Sequence, residues 1–260
     1  MNELNGMTAI VTGAAQGLGK AFAERLTNEG CNVAITDKRP EVDDIDESLG
    51  VLSFHGDVSD SGHVHQVVSS TVKAFGTIDI LINNAGEVLP TGPLDDWDQA
   101  TDTFERIFRS NTKGAYLFGR AVAPIMAEQK SGNILNVSTD HVKPAPHALR
   151  HHGHGNMDLY NASKWALNGF TDAWAKYLEQ DNIKVNGLCM GATDTPMLSG
   201  LFADNQLPEE MMETVMHAPD IADQMMDVIN SGRTGENFGA WVGEKITLGA
   251  QPAEHKKITG

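Results

Sequence analysis

Cysteine is almost missing from this 260-residue chain, which has only Cys31 and Cys189. Each sits in an apolar, strand-like run without the close pairing that a zinc knuckle or a redox motif needs, so both are expected to be buried, inert thiols. Basic residues are scarce as well. Lys and Arg number 19 against 35 Asp and Glu, a formal charge of -16, so a phosphate backbone or an anionic membrane surface would be repelled. Neither nucleic acid nor membrane is an expected partner. Nothing approaches the roughly 20 consecutive apolar residues that span a bilayer. The N-terminal MNELNGMTAIVTGAAQG lacks a basic region followed by an apolar run, so the expected location is cytoplasmic. There are no repeats, low-complexity tracts or Pro/Gly/Ser linkers. One domain over residues 1–260 is expected, and 40% hydrophobic content is enough to give it a core.

What the chain does contain is an alternation of short apolar runs with helix-period segments. MTAIVT (7–12), NVAIT (32–36), VLSFH (51–55), IDILIN (78–83), GNILNVS (132–138) and IKVNGL (183–188) read as strands buried on both faces. Between the third and fourth, Val64, Val67, Val68, Val72 and Phe75 recur at steps of three and four, the apolar stripe of a helix over 61–75. The order predicts an α/β, Rossmann-like, doubly wound parallel sheet flanked by helices. In such a sheet, ligands bind where loops leave the carboxyl ends of the strands. The irregular stretches 85–96, 139–157 and 190–218 all follow predicted strands and gather at that edge.

The first of these turns is TGAAQGLGKAFAERL, with Gly13, Gly17 and Gly19 between strand and helix. Glycines at this place let backbone N–H groups and the helix N-terminus approach a pyrophosphate. Roughly twenty residues on, the second strand ends in AITDKR, where the Asp37 carboxylate can accept both ribose hydroxyls of an adenosine. A 2′-phosphate about 4 Å from that carboxylate would cost on the order of 4 kcal/mol at an effective dielectric near 20. Lys38 and Arg39 are placed to blunt the penalty. The expected cofactor is NAD.

Further motifs follow in order: DV at 57 and 58, NNAG at 83–86, Asn111 in RSNTKGAYL, Ser138 in NVSTD, and YNASK with Tyr160 and Lys164. Together with TGAAQGLG they make most of the chain resemble the short-chain dehydrogenase/reductase family, classical type. The resemblance implies a catalytic tetrad of Asn111, Ser138, Tyr160 and Lys164. It also implies cofactor contacts from Gly13, Gln16, Gly17, Leu18 and Gly19, and adenine contacts from Asp57 and Val58. Asn84, Ala85 and Gly86 would line the pocket, Tyr160 and Lys164 would touch the nicotinamide side, and Thr193 and Thr195 in NGLCMGATDTPM would hold the carboxamide. Lys164 would grip the ribose, and Asn111 would anchor a relay water.

Chemistry supports the pair at the centre independently. Tyr160 and Lys164 are four residues apart, on one face of a helix. A tyrosine with its ordinary pKa near 10 is a poor base at pH 7, and lowering it by about three units takes roughly 4 kcal/mol. The Lys164 ammonium and an oxidised nicotinamide can supply that. Tyr160 would then exchange a proton with the substrate oxygen while Ser138 hydrogen-bonds it and hydride passes to or from the nicotinamide.

Three features depart from the family pattern. Met190 stands where proline usually precedes Gly191. The C-terminal GENFGAWVGEKITLGAQPAEHKK is longer and more polar than usual, leaving the homo-oligomer, a dimer or a tetramer, undefined. Ser138 and Tyr160 are 22 positions apart, which implies an insertion at about 139–157 holding His141, His147, His151, His152 and His154. Glycines among these histidines make a poor frame for a metal, and none is expected. A solvated loop or a subunit contact is one reading of the insertion; the other, since it is tethered between two catalytic residues, puts it at the pocket mouth, where Arg150 and His152 would recognise a polar substrate. A sugar, a sugar acid or a carboxylated alcohol fits best. The Met-rich segment at about 196–218 resembles a substrate lid and equally reads as an amphipathic helix packing on the core; as a lid it keeps small apolar alcohols open as an alternative. A non-catalytic NAD(H) sensor is the alternative of another class, disfavoured by the complete tetrad.

Overall fold

The computed structural model describes residues 4–142, 155–212 and 214–240. Six of its strands are the expected ones: β1 (Thr8–Thr12), β2 (Asn32–Asp37), β3 (Leu52–His55), β4 (Ile80–Asn83), β5 (Gly132–Thr139) and β6 (Ile183–Met190). Three more were not expected: two of two residues each, and a third, NFGA, with one large apolar residue. β7 (Thr193–Asp194) pairs with β8 (Met216–His217), and β9 (Asn237–Ala240) joins the main sheet beside β6. The main sheet runs β3-β2-β1-β4-β5-β6-β9, and all of its pairs are parallel. Strand order reverses between β1 and β4. A crevice opens at that switch point outside the carboxyl ends of the strands.

Helices cover both faces, as an all-parallel sheet requires. α1 (Gly17–Asn28), α2 (Val42–Leu49) and α9 (Ala218–Asn230) lie on one side, and α3 (Ser61–Phe75), α5 (Gly114–Gln129) and α6 (Asp158–Leu178) on the other. β1 shows why both faces are apolar: Ala9 and Val11 pack with Phe22, Leu26 and Met225, while Ile10 packs with Phe118 and Val122. The α3 stripe buries Val64, Val67 and Val68 as the spacing predicts, with Val72 partly covered. Asp60 caps that helix by accepting from the N–H groups of Gly62 and His63, and left-handed Gly76 ends it.

The expected lid at 196–218 is an irregular arm, with short α7 (Pro196–Ser199) and α8 (Glu209–Met212) between β7 and β8. α4 (Trp97–Ile107) runs into α5 through a π-helical stretch, Phe108–Lys113, which contains Asn111. No sequence period signals that extra residue in the turn. Among the described residues no helix is long and apolar enough to cross a membrane.

Candidate active site

The crevice is built first from β1. The Thr12 hydroxyl accepts the N–H groups of Asn84 and Ala85, each at 3.0 Å, and donates to the Ile82 carbonyl at 3.3 Å. The Asn84 amide returns to the carbonyls of Thr12 (2.9 Å) and Gly13 (3.0 Å). The NNAG turn is thereby bolted to the glycine turn, and Asn83 donates on to the Asn136 side chain at 3.0 Å. Gly13 and Gly17 have φ of +68° and +56°. A Cβ on Gly19 would stand 2.1 Å from the Gly13 carbonyl oxygen, so only glycine lets α1 start this close to the strand. Gln16 is the N-cap and makes no side-chain cap, and Leu18 packs beneath on the core. A helix N-terminus with its first N–H groups free of a side-chain cap, above a glycine cradle, fits a dinucleotide pyrophosphate.

Asp37 lies at the end of β2, 8% exposed, accepting from Ala15 N–H at 3.0 Å and from Arg39 N–H at 2.9 Å. The carboxylate therefore abuts the glycine turn, where an adenosine ribose would meet it. Asp57 accepts from Ser59 N–H at 2.8 Å and pairs with Arg109 at 3.0 Å. Burial works to raise its pKa, but these partners outweigh it and hold the carboxyl below its usual range. Val58 is buried under Gly114, where a Cβ would come within 2.5 Å of it. Thr193 lies in β7. The Thr195 hydroxyl donates to the Thr193 carbonyl at 3.2 Å and caps α7, and its methyl faces Gly17 across the crevice.

Tyr160 and Lys164 share a face of α6, near Ser138 on β5. The buried Lys164 ammonium donates to the Val137 carbonyl at 2.9 Å and lies 5.7 Å from the centre of the Tyr160 ring. Ser138 reaches the Lys164 carbonyl at 3.5 Å. Asn111 accepts from Glu87 N–H at 2.7 Å and donates to the Glu87 carbonyl (2.9 Å) and the Ser163 hydroxyl (3.0 Å). A Cβ on Gly86 would lie 3.2 Å from Asn111 Oδ1 and 3.5 Å from Lys164 Nζ. Asn111 and Lys164 thus meet beside Gly86, and Ser138 and Tyr160 each lie against Lys164.

The lysine by itself does not lower the tyrosine. Burial pushes Tyr160 up to about 12, with the Thr139 side chain opposing and Asp140 adding to the rise. Burial likewise brings Lys164 down to about 8. Both shifts favour neutral groups, because a phenolate or an ammonium loses more hydration than this apolar site returns.

Of the five histidines in the insertion, His141 is described: its Nδ1 lies 2.8 Å from Asn161 Oδ1, and its ring meets Tyr160 edge-on at 5.9 Å. His147, His151, His152, His154 and Arg150 lie outside the described residues, as does the C-terminal tail from 241. Among the described residues, no cluster of three or more His, Cys, Asp or Glu is placed to hold a metal. Beside the insertion, Pro90, Thr91, Gly92, Pro93, Leu94, Asp95, Gly155 and Asn156 surround an open cavity of about 300 Å³ that contains neither Ser138 nor Tyr160.

Sequence reasoning missed two groups. Thr139 opposes the rise in the pKa of the Tyr160 phenol, and only its position next to Ser138 hints at this. Glu87 joins Lys38 and Arg106, three residues whose separation in the chain carries no signal.

Fold and glycine cradle together define a class, a doubly wound dinucleotide-binding domain. A family model described as short chain dehydrogenase matches residues 7–206. The chain is 32% identical over 224 residues to the 3-oxoacyl-acyl-carrier-protein reductase of Thermotoga maritima, covering 82% of each chain. It is 32% identical over 201 residues to the cis-4-hydroxycyclohexanecarboxylate dehydrogenase of Sinomonas cyclohexanicum, covering 75% of this chain and 77% of the relative. The structure of a 3-ketoacyl-acyl-carrier-protein reductase from Brucella melitensis, complexed with NADH, superposes with a TM-score of 0.79. That match has 26% identity and covers 92% of this chain and 98% of the other. The protein belongs to the short chain dehydrogenase family. It is an oxidoreductase of alcohol and carbonyl groups, in a family that uses a nicotinamide cofactor.

Proposed function

We propose that the protein is an NAD-dependent dehydrogenase/reductase. It transfers hydride between the nicotinamide and a secondary or hemiacetal hydroxyl of a polar, anionic or sugar-like substrate. The observation that carries the cofactor choice is Asp37, a buried carboxylate held against the glycine turn where a 2′-phosphate would have to stand. The NADH bound to the Brucella relative accords with it. Fluorescence titration should show NADH binding at least about tenfold tighter than NADPH, less than the full Coulomb penalty because water intrudes. Equal affinities would refute this choice.

When bound, the nicotinamide supplies the hydride donor or acceptor and, in its oxidised form, a positive charge. In reduction, Tyr160 is the acid, and its raised pKa keeps the proton on the phenol until the substrate oxygen takes it. In oxidation the side chain acts as the phenolate, stabilised by Lys164 and the cofactor charge, and takes the hydroxyl proton to become the phenol again. Ser138 orients the reacting oxygen. Asn111, its amide fixed by Glu87 and Ser163, keeps a second lone pair on Oδ1 for the relay water that serves Lys164. Gly13, Gln16, Gly17, Leu18 and Gly19 hold the pyrophosphate, Asp57 and Val58 the adenine, and Thr193 and Thr195 the carboxamide.

Arg150 and His152, with the rest of the inserted segment, recognise the substrate's anionic or hydroxyl-rich end. A carboxylated ring alcohol in the name of the Sinomonas relative supports that chemistry. Screening NAD reduction with neutral sugars, anionic sugars and simple cyclic alcohols should give saturation with a polar class. In the double variant Arg150→Ala/His152→Ala, KM for an anionic substrate rises while NADH affinity holds; an unchanged KM would remove these residues from the site. The protein acts as a homo-oligomer, a dimer or a tetramer. Supporting this, Tyr116, Phe170 and Trp174 form an aromatic patch on α5 and α6, with the Phe170 and Trp174 rings stacked at 5.0 Å and Tyr116 42% exposed.

A further inference from the structure

Lys38 directly follows Asp37, and its side chain is half-exposed, so it is a cation within reach of a phosphate on the adenosine ribose. In the structure its ammonium is elsewhere. It lies 2.6 Å from Glu87 Oε1, while Oε2 of the same carboxylate takes Arg106, with Nε at 2.7 Å and Nη2 at 2.5 Å. The three residues come from the end of β2, the loop after β4 and helix α4. Because β1 separates β2 from β4, the Lys38 to Glu87 bridge spans the edge of the sheet above the glycine turn.

Glu87 is the fixed member of this group. Its N–H and C=O are both held by the Asn111 amide, and its side chain is 14% exposed, against 52% for Lys38 and 58% for Arg106. A carboxylate anchored at its own backbone and shared by two mobile cations sets where those cations go. We propose that Glu87 is a second selector of NAD over NADP, holding the Lys38 ammonium away from the place beside Asp37 where a 2′-phosphate would stand. Asp37 repels that phosphate directly; Glu87 withholds a cation that would compensate. Glu87 is thus a positioning residue, and this role rests on the NAD reading above.

Binding of NADH and NADPH, followed by nicotinamide fluorescence, tests it without a substrate. E87Q keeps the side chain's size and removes its charge. Its NADPH affinity should rise roughly fivefold relative to NADH, the scale of one exposed ion pair. Adding K38M to E87Q should abolish the gain, which separates Lys38 from the neighbouring Arg39. K38M alone should leave the ratio as in the wild type, because Lys38 is already withheld. If E87Q does not fold, Glu87→Asp carries the test; one methylene shorter, it cannot hold both cations and shifts the ratio in the same direction. An unchanged NADH to NADPH ratio in the Glu87 variants, or a gain that survives K38M, overturns the role of Glu87 and leaves the wild-type preference for NADH intact. Wild-type protein that binds NADPH the more tightly overturns the cofactor reading itself, and the selector with it.

Discussion

At the scale of single residues, the site is governed by what burial does to Tyr160 and Lys164. A phenol held near pKa 12 is an acid in waiting, so removing its hydroxyl should remove the proton transfer and little else. Tyr160→Phe is expected to lose at least about a hundredfold in kcat, with NADH affinity within about twofold of wild type. Lys164 leaves a signature in stability. Its folded pKa, about 8, lies below the ordinary 10.5, so between those values the unfolded chain binds more protons and wild-type stability rises with pH. In urea unfolding across that window, wild type should gain up to about 3 kcal/mol relative to Lys164→Met. A flat difference would mean that the lysine is not held in a charge-averse site. Thr139, Glu87 and the π turn at Asn111 were not legible at this scale, because a hydrogen-bond partner brought from another element leaves no spacing in the sequence.

At the scale of elements, the tightest fit is where α1 meets the first turn. Gly19→Ala places a methyl against the Gly13 carbonyl, and neither backbone can move without disturbing the Asn84 bonds. Overpacking of this kind typically costs about 1–3 kcal/mol, and the same shift should weaken NADH binding at least about tenfold. Calorimetry and fluorescence titration on one preparation would measure both. A cap far from the reacting atoms behaves differently. Asp60→Ala should cost about 1 kcal/mol in urea unfolding, since it leaves the Gly62 and His63 N–H groups of α3 without their acceptor. The elements themselves were readable wherever a period ran for a full turn or more, as in β1, β5, β6 and α3. β7 and β8 were not, because two residues are too few to display a repeat, nor was β9, which is as long as β3 and β4 but has Phe238 as its one large apolar residue.

For the whole molecule, the aromatic patch on α5 and α6 offers the test of assembly. Tyr116→Glu puts a charge beside the stacked Phe170 and Trp174 rings, and sedimentation should then show a smaller species than wild type. A wild-type monomer would overturn the assembly.

By itself the sequence determined the α/β class, six strands of the main sheet, the glycine turn, Asp37 and the pairing of Tyr160 with Lys164, because each is written in local periodicity or in a motif a few residues long. Only the tertiary structure decided the strand order that sets Asp37 against Ala15, the joining of Lys38 and Arg106 on Glu87, and the upward shift of Tyr160. These depend on which side chains desolvate one another across elements up to tens of residues apart, and desolvation belongs to the packed molecule rather than to any stretch of chain.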